Sequence, residues 1–241
     1  MEDRRPERAL VVSSDLTGYG QGNDKRHEFM QAEFVAVHRE AAEAVGLNRA
    51  LWERQPGGDG ELAVLPPGEA ESLVVDGYVR ALHTRLRERN RDLRAQERLR
   101  LRVAVAFGNA YHAANGYAGQ AVVEVSRLLS WEPFKLILKR NPDVSLALIL
   151  SKAVYKDTVL QGHTTHSAES FRKVLVSEKE YQEEAWVWVP DVDPADLVFD
   201  GESGVGSPPG NHGVGSQHAE AITNLHGQID ARNSVFGVNR A

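Results

Sequence analysis

Apolar positions recur along the chain with two different spacings. An unbroken run from Ala9 to Val12 closes on Ser13, Ser14 and Asp15, which predicts a strand over 9–15 ending in the polar turn LTGYGQGND. Phe29, Phe34, Val37 and Ala41 then follow at helical spacing within 24–45, with Asp24 placed as the N-cap. Gly57 to Gly60 read as a hairpin turn whose second arm, Leu62 to Leu65, runs into Pro66 and Pro67. A second amphipathic helix over 68–90 ends in basic residues, as the helix dipole favours. The stretch LRLRVAVAFGNA, 99–110, begins by alternating and becomes wholly apolar, the mark of a central strand. Helices over 119–131 and 133–141, a strand over 144–151, a helix over 152–162 and a closing hairpin with arms at 171–177 and 184–190 complete the pattern.

That order, βαββαβ with further αβ and ββ units, predicts an α/β fold: an α+β sandwich with its helices largely on one sheet face. The domain is placed at 9–191, after a charged tail at 1–8. A Gly/Ser/Pro linker follows over 192–217. The last segment, 218–241, alternates apolar residues but has too few for a core, so it is expected either to be disordered or to be completed by a protein partner.

Composition narrows the chemistry. Twenty-eight basic and thirty-four acidic side chains give a net charge of −6, which argues against a broad nucleic-acid surface. The chain has no cysteine, so disulfides, thiolate metal sites and cysteine nucleophiles are excluded. The start MEDRRPERAL has no apolar signal region, and no run approaches the roughly 20 apolar residues of a membrane helix, so no membrane insertion and a soluble cytoplasmic protein are expected.

Two aspartates stand out. Asp15 closes one apolar strand and Asp59 opens another, each beside glycines. Asp next to Gly is ordinary turn chemistry. The same two carboxylates, brought to one sheet edge by neighbouring strands, would suit a hard divalent cation that also binds substrate phosphates. The turn after Asp15 leads into a helix, where free N–H groups suit an anion. The metal reading requires the two strand tips to meet, with neither carboxylate buried against a lysine or arginine.

The motifs DLTGY at 15–19, GDGELAVL at 58–65, the 99–110 strand and GQAVVEVSRLL at 119–129 occur in an order that resembles the class III nucleotidyl cyclase catalytic domain. The resemblance covers 9–190 and implies a ferredoxin-like βαββαβ core. It also implies a homodimer with sites across the interface and a nucleoside triphosphate substrate. Two Mg2+ or Mn2+ ions would be held by Asp15, Asp59 and the Leu16 carbonyl. Arg127 would steady charge on the transferring phosphate, and Thr17, Gly18 and Tyr19 would form the phosphate turn. Gln55 and Gly116 fall where the family reads the base, and neither the adenine-reading nor the guanine-reading pair is present. Val123 falls on the family's ribose-orienting asparagine. Valine cannot bond a ribose oxygen, so Glu124 or Asn115 substitutes or turnover is lost. A phosphate-binding lysine has two candidates, Lys173 and Lys179. The small size and missing purine readers resemble the bacterial pyrimidine cyclases of antiphage signalling, which make cyclic UMP or cyclic CMP. The rival expectation is a cyclase-like module that binds a nucleotide or partner without turnover.

Other residues read more simply. His163 and His166 are expected in a solvated loop, Ser13 and Ser14 as strand-end polar groups, and Trp131, Trp186 and Trp188 as core or interface aromatics. The arginine-rich stretch 85–102 interleaves acids and reads as a solvated helix end rather than an RNA site.

Overall fold

The computed structural model describes residues 7–199. Its strands are β1 (Glu7–Leu16), β2 (Glu53–Pro56), β3 (Gly60–Val64), β4 (Leu101–Ala113), β5 (Gly116–Ala118), β6 (Leu146–Ser151), β7 (Arg172–Glu178) and β8 (Tyr181–Trp188). Its helices are α1 (Asp24–Ala44), α2 (Glu71–Leu73), α3 (Val79–Asn90), α4 (Gln120–Ser130), α5 (Glu132–Arg140) and α6 (Lys152–Val154). Helix α2 runs into α3 through the π-helical stretch Val74–Tyr78, and α6 continues into another, Tyr155–Val159.

One sheet carries the order β2-β3-β1-β4-β6-β8-β7, with β5 pairing to β4 beyond it. β4 and β6 are parallel; the other neighbouring pairs are antiparallel. The two-residue period of the strands sorts their side chains. Leu10, Val12 and Leu16 of β1, with Leu101, Val103 and Val105 of β4, join Met30, Phe34 and Val37 of α1 and Leu82 and Leu86 of α3. Ala9 and Val11, with Ala104 and Ala106, join Val125 and Leu128 of α4 and Phe134 and Leu138 of α5. Helices therefore cover both sheet faces, where the chain pattern predicted mainly one. The α4–α5 connection bridges the parallel pair β4 and β6, and its apolar stripes need a face of their own.

Local differences from the sequence reading have local causes. Asn23, not Asp24, caps α1 by accepting from the Arg26 amide at 3.1 Å, which leaves Asp24 in the first turn near the positive dipole end. Phe29 is exposed and Met30 takes its place in the core. His166 is buried, not solvated; it packs against Phe171 and Trp188 beside Asp76, while His163 is exposed. The domain extends past the expected boundary at 191, since Leu197 and Phe199 are buried in the second core and Phe199 stacks on Trp131 at 5.5 Å. At the other end, Glu7 and Arg8 already belong to β1. The rest of the expected linker and the 218–241 tail lie outside the described residues. Among the described residues, no helix is long and apolar enough to cross a membrane.

A buried polar chain joins the first core. Ser14 Oγ lies 3.1 Å from His38 Nε2, and His38 Nδ1 lies 2.5 Å from the Tyr78 hydroxyl. Burial holds the His38 pKa well below its ordinary 6.5. Below that value the unfolded chain takes up a proton that the folded one refuses. His38 therefore leaves stability intact above about pH 6.5 and lowers it as pH falls, by at most about 1.4 kcal/mol per pH unit. Urea unfolding from about pH 7 to about pH 5 should show a steeper loss in the wild type than in His38→Gln; parallel curves would contradict the assignment. Phe199→Ala should cost about 3 kcal/mol by the same measurement, and a neutral result would place residue 199 outside the core.

Candidate functional site

The site grows from the end of β1. Asp15 stands opposite Gly60 in β3, and the Leu16 amide donates to the Asp59 carbonyl at 2.8 Å. The two tips meet, as the carboxylate reading requires. Only glycine fits at 60, because a Cβ there would lie 2.2 Å from the Ser14 carbonyl oxygen. Gln31 of α1 ties the tips together: its Nε2 donates to the Gly58 carbonyl at 2.7 Å and to the Tyr19 hydroxyl at 2.9 Å. Tyr19 stacks on His27 at 4.6 Å. Gly18 holds the turn at φ +78, the Thr17 amide bonds the Arg100 carbonyl, and the Thr17 hydroxyl oxygen is buried without a partner.

The second requirement fails. On β4, Arg102 faces Asp15 across the ladder and donates through Nε to Oδ1 at 2.9 Å and through Nη2 to Oδ2 at 2.6 Å. The expected free pair of carboxylates is therefore half neutralised. Burial pushes the Asp15 carboxyl above its usual range, Arg102 draws it back, Asp59 pushes it up and Lys135 of α5 draws it down; the net direction is up. Asp59 is exposed. Among the described residues no group of three or more acidic or histidine side chains converges as a metal cage. The oxygens nonetheless have the right chemistry for a hard divalent ion. Asp59 is open, Asp15 keeps a lone pair on each oxygen beyond those Arg102 uses, and substrate phosphates commonly supply the remaining ligands. Asp59, Asp15 and the Leu16 carbonyl are the groups that would hold it.

Gln55 and Gly116 touch, although β2 and the β4–β5 hairpin are far apart in sequence. Gly116 has φ +91, and a Cβ on it would fall 2.3 Å from Gln55 Oε1. Beside them Glu53 clasps the hairpin, accepting from the Tyr117 hydroxyl at 2.9 Å and pairing with His112 at 2.8 Å. Glu53, His112 and Tyr117 edge a cavity of about 640 Å3 that reaches Ala9 and Pro66.

Arg127 lies apart from the carboxylates in its own chain, held on α4 by Glu180 at 2.6 Å in the β7–β8 turn. Val123 is half-exposed one helical turn earlier. Of its two possible substitutes, Glu124 accepts from the Tyr181 hydroxyl at 2.9 Å and Asn115 is exposed in the β4–β5 turn. Lys173 pairs with Glu184, and Lys179 sits at φ 55 in the same turn as Glu180. The chain pattern did not single out Arg102, Gln31, Glu53, His112 or Glu180. A legible signal existed for Arg102, a charge on the inward period of a central strand.

No family model and no curated protein matches the sequence. Solved structures do match. The adenylate/guanylate cyclase/hydrolase from Silicibacter pomeroyi superposes with a TM-score of 0.57 at 20% identity, over 78% of this chain and 99% of that one. A guanylyl cyclase gives 0.53 at 14% identity, over 77% and 92%. The catalytic core of a rhodopsin-guanylyl cyclase with converted specificity, solved with ATPαS, gives 0.51 at 15% identity, over 78% and 99%. The fold is that of the class III nucleotidyl cyclase catalytic domain. Identities this low establish the cyclase fold and leave the chemistry to the side chains.

Gly116→Ala tests the Gln55 contact. Its positive φ and the approach of Gln55 should together cost about 1 to 2 kcal/mol in urea unfolding. Adding Gln55→Ala should recover the steric share and leave the backbone share. Strict additivity of the two substitutions would deny the contact.

Proposed function

We propose that this cyclase-fold domain is a nucleotidyl cyclase that converts a nucleoside triphosphate to a 3′,5′-cyclic nucleotide and pyrophosphate. The observation that carries the reading is the meeting of the Asp15 and Asp59 strand tips, joined by the Leu16 amide and braced by Gln31. In the reaction the ribose 3′-oxygen bonds to the α-phosphorus, the bond from that phosphorus to the bridging oxygen breaks, and the hydroxyl proton leaves to solvent or a nearby base. A bound Mg2+ or Mn2+ would supply charge to the hydroxyl and the phosphates. Thr17 and Gly18 place a turn where a phosphate would dock, and the unpartnered Thr17 hydroxyl is a donor for it.

Arg127 is assigned to the phosphate of a site completed by a second copy of the chain. Its ion-pair partner Glu180 is exposed, so the pair is of a kind that contributes little and exchange for a phosphate costs little. Gln55 and Gly116 are assigned to the base. The Gln55 amide both donates and accepts, so it could pair with several bases. The absent purine readers and the small size, shared with the pyrimidine cyclases that the sequence resembles, are what favour a pyrimidine substrate and cyclic UMP or cyclic CMP as an antiviral second messenger. The 218–241 segment is assigned to a protein partner.

A second reading, a nucleotide-binding module without turnover, is favoured by two observations: Val123 offers no hydrogen bond to a ribose, and Asp15 is already paired with Arg102. Incubating the protein with each of the four ribonucleoside triphosphates and Mn2+, then separating products by chromatography, decides between them. The enzyme reading expects one cyclic pyrimidine nucleotide, reduced about 100-fold or more in Asp59→Ala. Binding of a triphosphate with none converted establishes the module instead. Equal product from both proteins would trace the activity to a contaminant.

A further inference from the structure

We propose that the Arg102 guanidinium occupies one of the two cation positions at the strand tips, so that the site takes a single divalent ion, held through Asp59, with the bound triphosphate. The proposal rests on the reading that these tips bind a metal–nucleotide complex, and it changes that reading's metal count.

Three features make Arg102 a built-in cation rather than a passing surface contact. Its β4 backbone lies between β1 and β6, with Arg102 opposite Asp15 on one side and Ala147 on the other, so the register fixes its place. Its side chain is nearly enclosed, at 10% exposure, and engages both Asp15 oxygens in the two-pronged geometry that suits arginine and not lysine. A guanidinium has donors only and no lone pair to offer, so it stands at the tips as a cation and cannot itself bind an incoming metal ion.

The surrounding charges agree. Lys135 of α5, itself paired with Glu132 at 3.6 Å, adds a weaker positive field at Asp15, while Asp59 adds the nearby negative one. With Asp15 already paired to Arg102, the tips hold less negative charge than two divalent ions at once would call for. Asp59 differs from Asp15: it is exposed and carries no ion pair among the described residues. It is the carboxylate left open for an ion.

Arg102 also has a donor to spare. Its Nη1 is buried with no hydrogen-bond partner, a costly condition for a charged group. A phosphate oxygen entering between the tips would accept from it. Arg102 would then replace an ion in both its tasks, countering Asp15 and holding phosphate.

Counting ions tests the idea without measuring turnover. The protein is saturated with a non-hydrolysable α,β-methylene pyrimidine triphosphate and titrated with Mn2+, bound ions being counted by electron paramagnetic resonance against bound nucleotide. One Mn2+ per bound nucleotide is the expected result; two in the wild type overturns the proposal while leaving the nucleotide-binding reading intact. No nucleotide bound at all overturns both. Arg102→Gln, which keeps a hydrogen bond to Asp15 but removes the charge, should raise the count to two, and Arg102→Lys should hold it at one. If Arg102→Gln folds and still binds one, Arg102 does not set the count. If that variant does not fold, the wild-type count alone decides.

Discussion

The register of β1 between β3 and β4 is the constraint on which the site depends. β1 is laddered to β4 along its whole length and to β3 from Val11 to Asp15, so its site end is held on both sides. Successive side chains leave on opposite faces. Ser14 therefore enters the first core, where His38 and Tyr78 satisfy it, and Asp15 emerges on the other face against Arg102. A slip of one residue would exchange them, driving a carboxylate into apolar packing and withdrawing it from the site. The glycine at 60 guards that register, because any side chain there would collide with the β1 backbone. The buried network behind Ser14 and the charged cluster around Asp15 are two consequences of one alignment.

The ion pairs around the site differ in what a ligand can displace. Arg127 is partly enclosed but its partner Glu180 is exposed, and a multiply charged phosphate competes with such a pair more readily than with an enclosed one. Arg102 and Asp15 are mostly enclosed and share two hydrogen bonds. Separating them would leave two charges with little water to solvate them, which costs far more than parting a surface pair. On the proposed reading, a ligand arriving at the tips finds Arg102 in place and builds around it, while Arg127 of a second copy is released. The opposing pushes on the Asp15 pKa are the local signature of this balance, burial against the guanidinium.

Much of the fold was legible because its signals are periodic. The β1 run, the apolar stripes of α1 and α4 and the β7–β8 hairpin all announce themselves, and apolar runs beside glycines mark both tips, whose meeting the sequence leaves as a condition. What was missed depends on contacts between distant segments. β5 is three residues long, too short for a period. The second covered face follows from where the α4–α5 connection crosses the sheet, which no single helix encodes. Arg102 sits at the end of an arginine-rich stretch that reads as solvated, and its meaning appears only once Asp15 is opposite it. The Gln55–Gly116 contact likewise needs the β4–β5 hairpin to fold back to β2, which the Glu53, His112 and Tyr117 clasp secures.

If Gln55 and Gly116 meet the base as proposed, that clasp bears on which base is chosen. A glutamine amide can turn to present its donor or its acceptor, so alone it would accept uracil and cytosine alike. Discrimination needs a second polar group whose direction cannot change. Gly116 offers backbone groups held at φ +91 by the hairpin, against which the Gln55 amide is already packed. On the proposed reading, the orientation that Gln55 adopts against this fixed backbone sets which pyrimidine edge is complementary. The hairpin, through Glu53 and Tyr117, then acts on specificity without touching the base.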